Sequence, residues 1–213
     1  MIEAVDIYKA YGAIKVLEAF NLTVEEGSSL AIYGRSGSGK TTLLKILGSF
    51  VEPDRGTVYI DRRDVSKLEE KELAELRSRL VGFSFQESLL LPYLSAVENV
   101  LWPAYRKGAS KSKLEERAVD LLSKSGLGER LDHEPGRLSV GENKRVDLVR
   151  ALLREPTVVI ADEPTSNLDS ETASNVLKML REYTDRGGTL VYSTTSSKAA
   201  EFSEERISIR QHY

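Results

Sequence analysis

The residues Gly34-Arg35-Ser36-Gly37-Ser38-Gly39-Lys40-Thr41 follow the pattern G-x-x-x-x-G-K-[ST]. The apolar run Leu30-Ala31-Ile32-Tyr33 precedes them and Thr42-Leu43-Leu44-Lys45-Ile46-Leu47 follows, so the local reading is strand, glycine-rich turn, helix. A turn of this kind aims successive backbone N–H groups at phosphate oxygens, at the positive end of the helix. Gly34, Ser36, Gly37, Ser38, Gly39, Lys40, Thr41 and Thr42 are the expected nucleotide contacts. Lys40 is expected between the β- and γ-phosphates, and the Thr41 hydroxyl on a magnesium ion.

A second chemical group stands much later. The apolar run Val158-Val159-Ile160-Ala161 suits a strand buried on both faces, and it runs directly into Asp162-Glu163. Open α/β sheets bind ligands at strand ends of this kind. Asp162 is suited to hold magnesium, directly or through water, and Glu163 to polarise a water attacking the γ-phosphate. Between the two groups lies Leu138-Ser139-Val140-Gly141-Glu142, where Ser139 is placed as a helix cap or, with Gly141, as an anion site.

The elements that must position these groups can be read from periodicity. Residues 2 to 7 and 14 to 24 read as strands of a small antiparallel sheet, and Thr57-Val58-Tyr59-Ile60 as a further strand after the turn Glu52 to Gly56. Ser66 and Glu69 have capping-box spacing ahead of Leu73, Leu76 and Leu80, which predicts a helix leading into the strand Val81 to Phe85. Residues 87 to 155 carry helical periodicity, with Ser112 and Glu115 as a second capping pair and Gly126 and Gly128 as stops. Ala173, Val176, Leu177 and Leu180 mark another helix, Leu190 to Tyr192 a buried strand, and Ile207 with Ile209 a terminal one. Strands alternating with helices predict an α/β fold with a mainly parallel sheet. The division expected is one domain over 1–213, with a core in 1–86 and 156–213 that includes the antiparallel part, and an inserted helical lobe in 87–155.

Composition narrows the function classes. The chain has 213 residues, enough for one sizeable core, and its 30 basic and 33 acidic side chains give a net charge of −3. No basic face is legible, which argues against a nucleic-acid partner. There is no cysteine, so disulfides and thiolate metal sites are excluded. No run of about 18 apolar residues occurs, so the expectation is no direct membrane insertion.

The order of these motifs resembles the ATP-binding-cassette (ABC) family of transporter ATPases across nearly the whole chain. The carrying residues are the phosphate loop, Gln86, Leu138-Ser139-Val140-Gly141, Asp162-Glu163 and Pro164-Thr165-Ser166-Asn167-Leu168-Asp169. The stretch Phe85 to Val100 looks most like the lipoprotein-release and macrolide-export branch. The resemblance implies a P-loop NTPase, RecA-like core with ATP and Mg2+ as ligands. It gives Tyr11 the adenine-stacking place, Gln86 a contact to magnesium and water, and Ser139 and Gly141 a γ-phosphate contact in a second ATPase subunit packed head to tail. It also implies a transmembrane permease partner and a peripheral place on the inner face of the cell membrane.

Three positions depart from the family pattern. Val140 and Glu142 stand where the signature usually has Gly and Gln, and Thr195 stands where a histidine senses the γ-phosphate. Glu142 is expected to face either the polyphosphate or the lobe. His133 and His212 read as a surface and a terminal residue. Thr195 implies slow or partner-dependent hydrolysis, with an ATP-dependent regulatory switch as the alternative. Repair or translation ATPases of the superfamily need insertions that do not fit here, and an ordinary phosphate-loop kinase has no use for the Leu138 to Gly141 stretch.

Overall fold

The computed structural model describes residues 1–105 and 110–209. Strands β1 (Ile2–Tyr11), β2 (Ile14–Val24) and β3 (Ser29–Tyr33) precede the first helix, α1 (Lys40–Leu47), in the chain, and β4 (Arg55–Ile60) and β5 (Arg63–Asp64) follow it. Helix α2 (Glu70–Leu80) leads into β6 (Val81–Ser84), and the helices α3 (Ala96–Leu101), α4 (Lys111–Lys124) and α5 (Val140–Leu152) follow. The chain then alternates through β7 (Val158–Ala161), α6 (Ser170–Asp185), β8 (Thr189–Thr194), the short α7 (Ser197–Ala200) and β9 (Glu205–Ser208).

The strands sort into two sheets. One is antiparallel with order β2-β1-β4-β5; the other is parallel with order β6-β7-β8-β3-β9. The reason β3, β7 and β8 read as unbroken apolar runs is visible in how their side chains divide. Ala31, Val159, Ala161, Leu190 and Tyr192 enter a core shared with α3 to α6. Their neighbours Leu30, Ile32, Val158, Ile160 and Val191 enter a second core shared with α1 and the antiparallel sheet. Side chains alternate across a strand, so a strand with a core on each face must be apolar at every position.

Helix starts differ from the sequence expectation in two places. The capping box of α2 is Glu69 with Glu72, whereas Ser66 lies in a short 3-10 turn capped by Asp64. Helix α4 is preceded by Ser110, so Ser112 sits inside its first turn and donates to Glu116. The Ser-x-x-Glu spacing is a local signal, and in both places the tertiary path set the boundary a few residues away. Gly126 does close α4, at φ 79°, one residue past the cap Ser125. Ile209 lies just past β9, its N–H donating to the Tyr33 carbonyl. His133 is partly exposed, and His212 lies outside the described residues.

Ile160 is fully buried in the middle of the parallel sheet. Ile160→Ala is expected to lower unfolding free energy by about 2–5 kcal/mol, read by urea titration, with unchanged secondary structure by circular dichroism.

Candidate functional site: a phosphate cleft and an outward-facing signature helix

The phosphate loop runs from the C-terminal end of β3 into α1. Gly39 is the N-cap at φ 95°, a conformation open to glycine, and a Cβ there would stand 2.6 Å from a Val16 methyl carbon. No side chain caps α1 and no acidic residue stands in its first turn. Its leading N–H groups are therefore uncommitted to protein acceptors and suited to an anion. The Ser38 hydroxyl is buried with no hydrogen-bond partner among the described residues, as a group reserved for a ligand would be. Lys40 lies across the loop, donating from Nζ to the carbonyls of Gly34 at 2.8 Å and Arg35 at 3.0 Å, and stands 3.7 Å from Glu163.

A cleft of about 290 Å³ opens beside the loop, lined by Val16, Ser36, Gly37, Gly39, Lys40, Thr41, Thr42, Gln86, Asp162 and Glu163. Three strand ends and α1 thus bring the expected phosphate, magnesium and base residues to one place. Thr41 Oγ1 donates to Asp162 at 2.6 Å and lies 3.4 Å from Gln86 Oε1. These oxygens fit magnesium, which takes one or two carboxylate oxygens together with hydroxyl, water and phosphate oxygens. Among the described residues no cluster of three His, Cys, Asp or Glu suggests any other metal site.

Ser193, unnoticed in the sequence, organises the carboxylates. Its Oγ donates to Asp162 and accepts the Glu163 N–H at 2.9 Å. Glu163 adopts φ 53°, a left-handed conformation costing about 1–3 kcal/mol for a residue with a Cβ. Thr195 meets Glu163 through its backbone N–H, 3.3 Å from Oε2, while its exposed side chain makes no bond to the carboxylate. The contact between Thr195 and Glu163 is thus made by the main chain and not by the threonine hydroxyl. Val16 was also missed, and its only sequence signal was the alternation of β2. Tyr11 ends β1, half exposed, with Lys9 Nζ 5.7 Å from its ring centre.

Ser139 and Gly141 are absent from this cleft's lining. Ser139 caps α5 and is exposed, accepting the Glu142 N–H at 3.2 Å. Glu142 closes the box by accepting the Ser139 N–H at 2.7 Å, and its other oxygen meets Arg130 at 3.3 Å. Of the two orientations considered for Glu142, the structure has it turned to its own helix start and to the lobe. Val140 is 74% exposed, so its added bulk points out of the chain. A Cβ on Gly141 would stand 3.0 Å from Leu168, so the signature turn packs against the 164–169 loop.

Buried charges on the inner side of α5 carried no sequence signal. Asp147 accepts from Ser84 Oγ and from the Phe85 N–H, both at 2.9 Å, and pairs with Arg150. Burial pushes its carboxyl above the usual carboxylate range against those partners. Arg150 donates to the Leu89 carbonyl at 2.7 Å, so α5 holds both flanks of Gln86. Lys144 is buried one turn earlier and donates to Ser166 at 2.9 Å.

The Glu142 carboxyl is held below the ordinary carboxylate range, first by the Ser139 N–H and also by the Ser139 hydroxyl and Arg130. A lowered value means its contribution is present above the unfolded carboxylate range and fades as pH falls through the lowered one. Glu142→Ala is expected to destabilise the fold by about 0.5–2 kcal/mol at neutral pH, while Glu142→Gln, which still accepts at this position, costs little. Thermal unfolding of both variants at neutral and acid pH measures this, and the gap between wild type and Glu142→Ala narrows in acid.

The family model described as "ABC transporter" matches residues 17–166. A lipoprotein-releasing system ATP-binding protein of Bacteroides thetaiotaomicron is 40% identical over 97% of this chain and 95% of its own length. One of Rhodopirellula baltica is 46% identical over 92% and 86%. A macrolide export ATP-binding/permease protein of a Shewanella species is 39% identical over 99% of this chain, which spans 33% of that longer protein. A solved dimeric ATP-binding cassette in a post-hydrolysis state with ADP and Pi superposes with a TM-score of 0.93, at 35% identity over 99% of this chain and 94% of that one. With these likenesses and a phosphate cleft on a parallel P-loop sheet, the chain belongs to the ABC transporter family of ATPases.

Proposed function

We propose that this chain is the MgATP-hydrolysing subunit of a membrane transporter, working as a pair of cassettes that close head to tail over ATP. The observation that carries the reading is the division of labour within one chain. Lys40, Thr41, Asp162 and Glu163 converge on one cleft, whereas Ser139 and Gly141 take no part in its lining and Ser139 is exposed. One chain then holds a phosphate cradle and lacks its cover, and a second chain's Ser139 and Gly141 supply that cover.

In this reading the amides of 34–39 and Lys40 hold the β- and γ-phosphates, and Tyr11 stacks on the adenine. Thr41, Asp162 and Gln86 would hold magnesium, which when bound would offset the negative charge on the transferred phosphoryl group. Glu163, steadied by Ser193 and the Thr195 N–H, accepts hydrogen bonding from the attacking water and takes its proton. The inserted lobe over 87–155 and the Gln86 region form the permease contact. A neighbouring groove of about 390 Å³, lined by residues including Phe50, Phe83, Phe85, Pro103 and Arg150, supports that placement. Its three phenylalanines pack with ring centres 4.4 to 5.3 Å apart, so the wall is apolar and pre-formed. No helix of the described residues is long and apolar enough to cross a membrane, and in this reading the chain is held on the inner face of the cell membrane by a spanning permease. The relatives' names favour lipoprotein release or export.

A second reading, a nucleotide-dependent switch with little transport, is favoured by one contact. At Thr195 only a backbone N–H reaches Glu163, and a threonine side chain cannot add a cation to the one that Lys40 offers the γ-phosphate. Slow hydrolysis by the lone chain follows. Steady-state ATPase assays separate the readings: turnover that rises on adding permease supports the motor, and tight ATP binding with turnover fixed near zero supports the switch. Glu163→Gln is expected to lower kcat by about 100-fold or more while ATP binding persists. Thr195→His is expected to raise turnover several-fold, and no change removes Thr195 from the sensing position.

A further inference from the structure

We propose that Lys144 is a positioning residue for Glu163, acting through the hydroxyl of Ser166 and thereby linking the helix that presents Ser139 to the general base of its own chain. The inference rests on the reading of Glu163 as base.

Lys144 points inward from α5, 4% exposed, and among the described residues its ammonium makes one hydrogen bond, to Ser166 Oγ at 2.9 Å. That oxygen accepts from Lys144 while its single proton goes to the Glu163 carbonyl, 3.0 Å away. The direction of both bonds is fixed by chemistry, because an ammonium only donates and the Glu163 carbonyl only accepts. Lys144 therefore sets the rotation of the Ser166 hydroxyl. The Ser166 N–H reaches the same carbonyl at 3.0 Å, and Ser193 Oγ takes the Glu163 N–H on the other side. The Glu163 residue, strained at φ 53°, is gripped at both its N–H and its carbonyl, with the Asp162 carboxylate behind Ser193 and the Lys144 cation behind Ser166.

A lysine is a costly way to fill this place. Burial lowers its pKa, and the acids Asp162, Glu163 and Asp147 offset that only as neighbours beyond ion-pair distance. A methionine of similar length would fill the same volume without desolvating an ammonium. What a methionine would lack is a donor for Ser166. Lys144 also lines a cleft with Gln86, Val140 and Asn167, so its stem stands between the signature turn, the loop after Glu163 and the Gln86 strand end. Ser139 is the N-cap of the same helix. A shift of α5 when Ser139 meets a partner's phosphate is thus passed to Glu163 by one side chain.

The test uses the full-length chain and two readouts. Lys144→Met is expected to lower kcat about tenfold, with KM for ATP within about twofold, since misplacing a base acts on the chemical step and not on ground-state binding. Hydrogen exchange at the Ser166 amide is expected to quicken without loss of protection in β7 and β8. Lys144→Gln, which keeps a donor, recovers kcat to within about threefold of wild type, and Lys144→Met with Ser166→Ala is no slower than Lys144→Met alone. An unchanged kcat and unchanged exchange in Lys144→Met, a rise in KM alone, or losses that multiply in the double variant would overturn the proposal. Glu163→Gln serves as the separate control. If it retains full turnover, the base assignment fails while the exchange readout still decides whether Lys144 holds the 163–166 turn. If Lys144→Met does not fold, Lys144→Gln against Ser166→Ala decides by the same two measurements.

Discussion

The carboxylate of Asp162 is the knot on which the site depends. It is almost fully buried at the end of β7, accepts from Thr41 at the start of α1 and from Ser193 at the end of β8. Three elements far apart in sequence are thereby tied at a single group. A buried carboxylate needs such donors, because taking a charge out of water is costly unless hydrogen bonds replace its hydration. One donor, Thr41, lines the cleft, and the other, Ser193, turns its own lone pair to the Glu163 N–H. The strained Glu163 conformation persists because the knot holds its N–H in place. The two cores on either face of the parallel sheet exist, in functional terms, to keep these strand ends from moving relative to one another.

Much of this was legible in the chain because it rests on local rules. A glycine-rich turn between a strand and a helix, and carboxylates after an all-apolar strand, announce themselves by spacing and by backbone needs. The doubly buried strands were equally plain, since a strand with a core on each face has no polar positions to alternate. What stayed hidden depends on contacts between distant segments. Ser193 is one serine at the end of an apolar strand, and nothing local says that Asp162 lies opposite. Lys144 and Asp147 read as ordinary polar positions of a helix, and only the seating of α5 against β6 and the 164–169 loop buries them. The capping errors have the same origin, because Glu69 is a weaker cap on intrinsic preference than Ser66 and won through tertiary context.

Helix α5 has two sides with different obligations. Its start is exposed and capped by Ser139, and Glu142 closes that capping box, turned back onto its own helix start. Its inner side carries Lys144 toward Glu163 and Asp147 with Arg150 toward the flanks of Gln86. The departures from the family signature therefore fall into distinct physical classes. Glu142 is absorbed into the cap, Val140 faces outward, and Thr195 leaves the main chain to meet Glu163.

The left-handed backbone of Glu163 also bears on how this chain can drift over generations. Single-base changes of a glutamate codon reach valine, alanine, lysine, glutamine, aspartate and glycine. Valine is the least compatible with a positive φ, whereas glycine relieves the strain and aspartate tolerates it. Among replacements that abolish or shorten the carboxylate, glycine is thus penalised least in folding. Selection on the fold alone does little to guard this carboxylate, and a duplicated copy freed from selection for turnover could fall silent here while still folding and holding nucleotide.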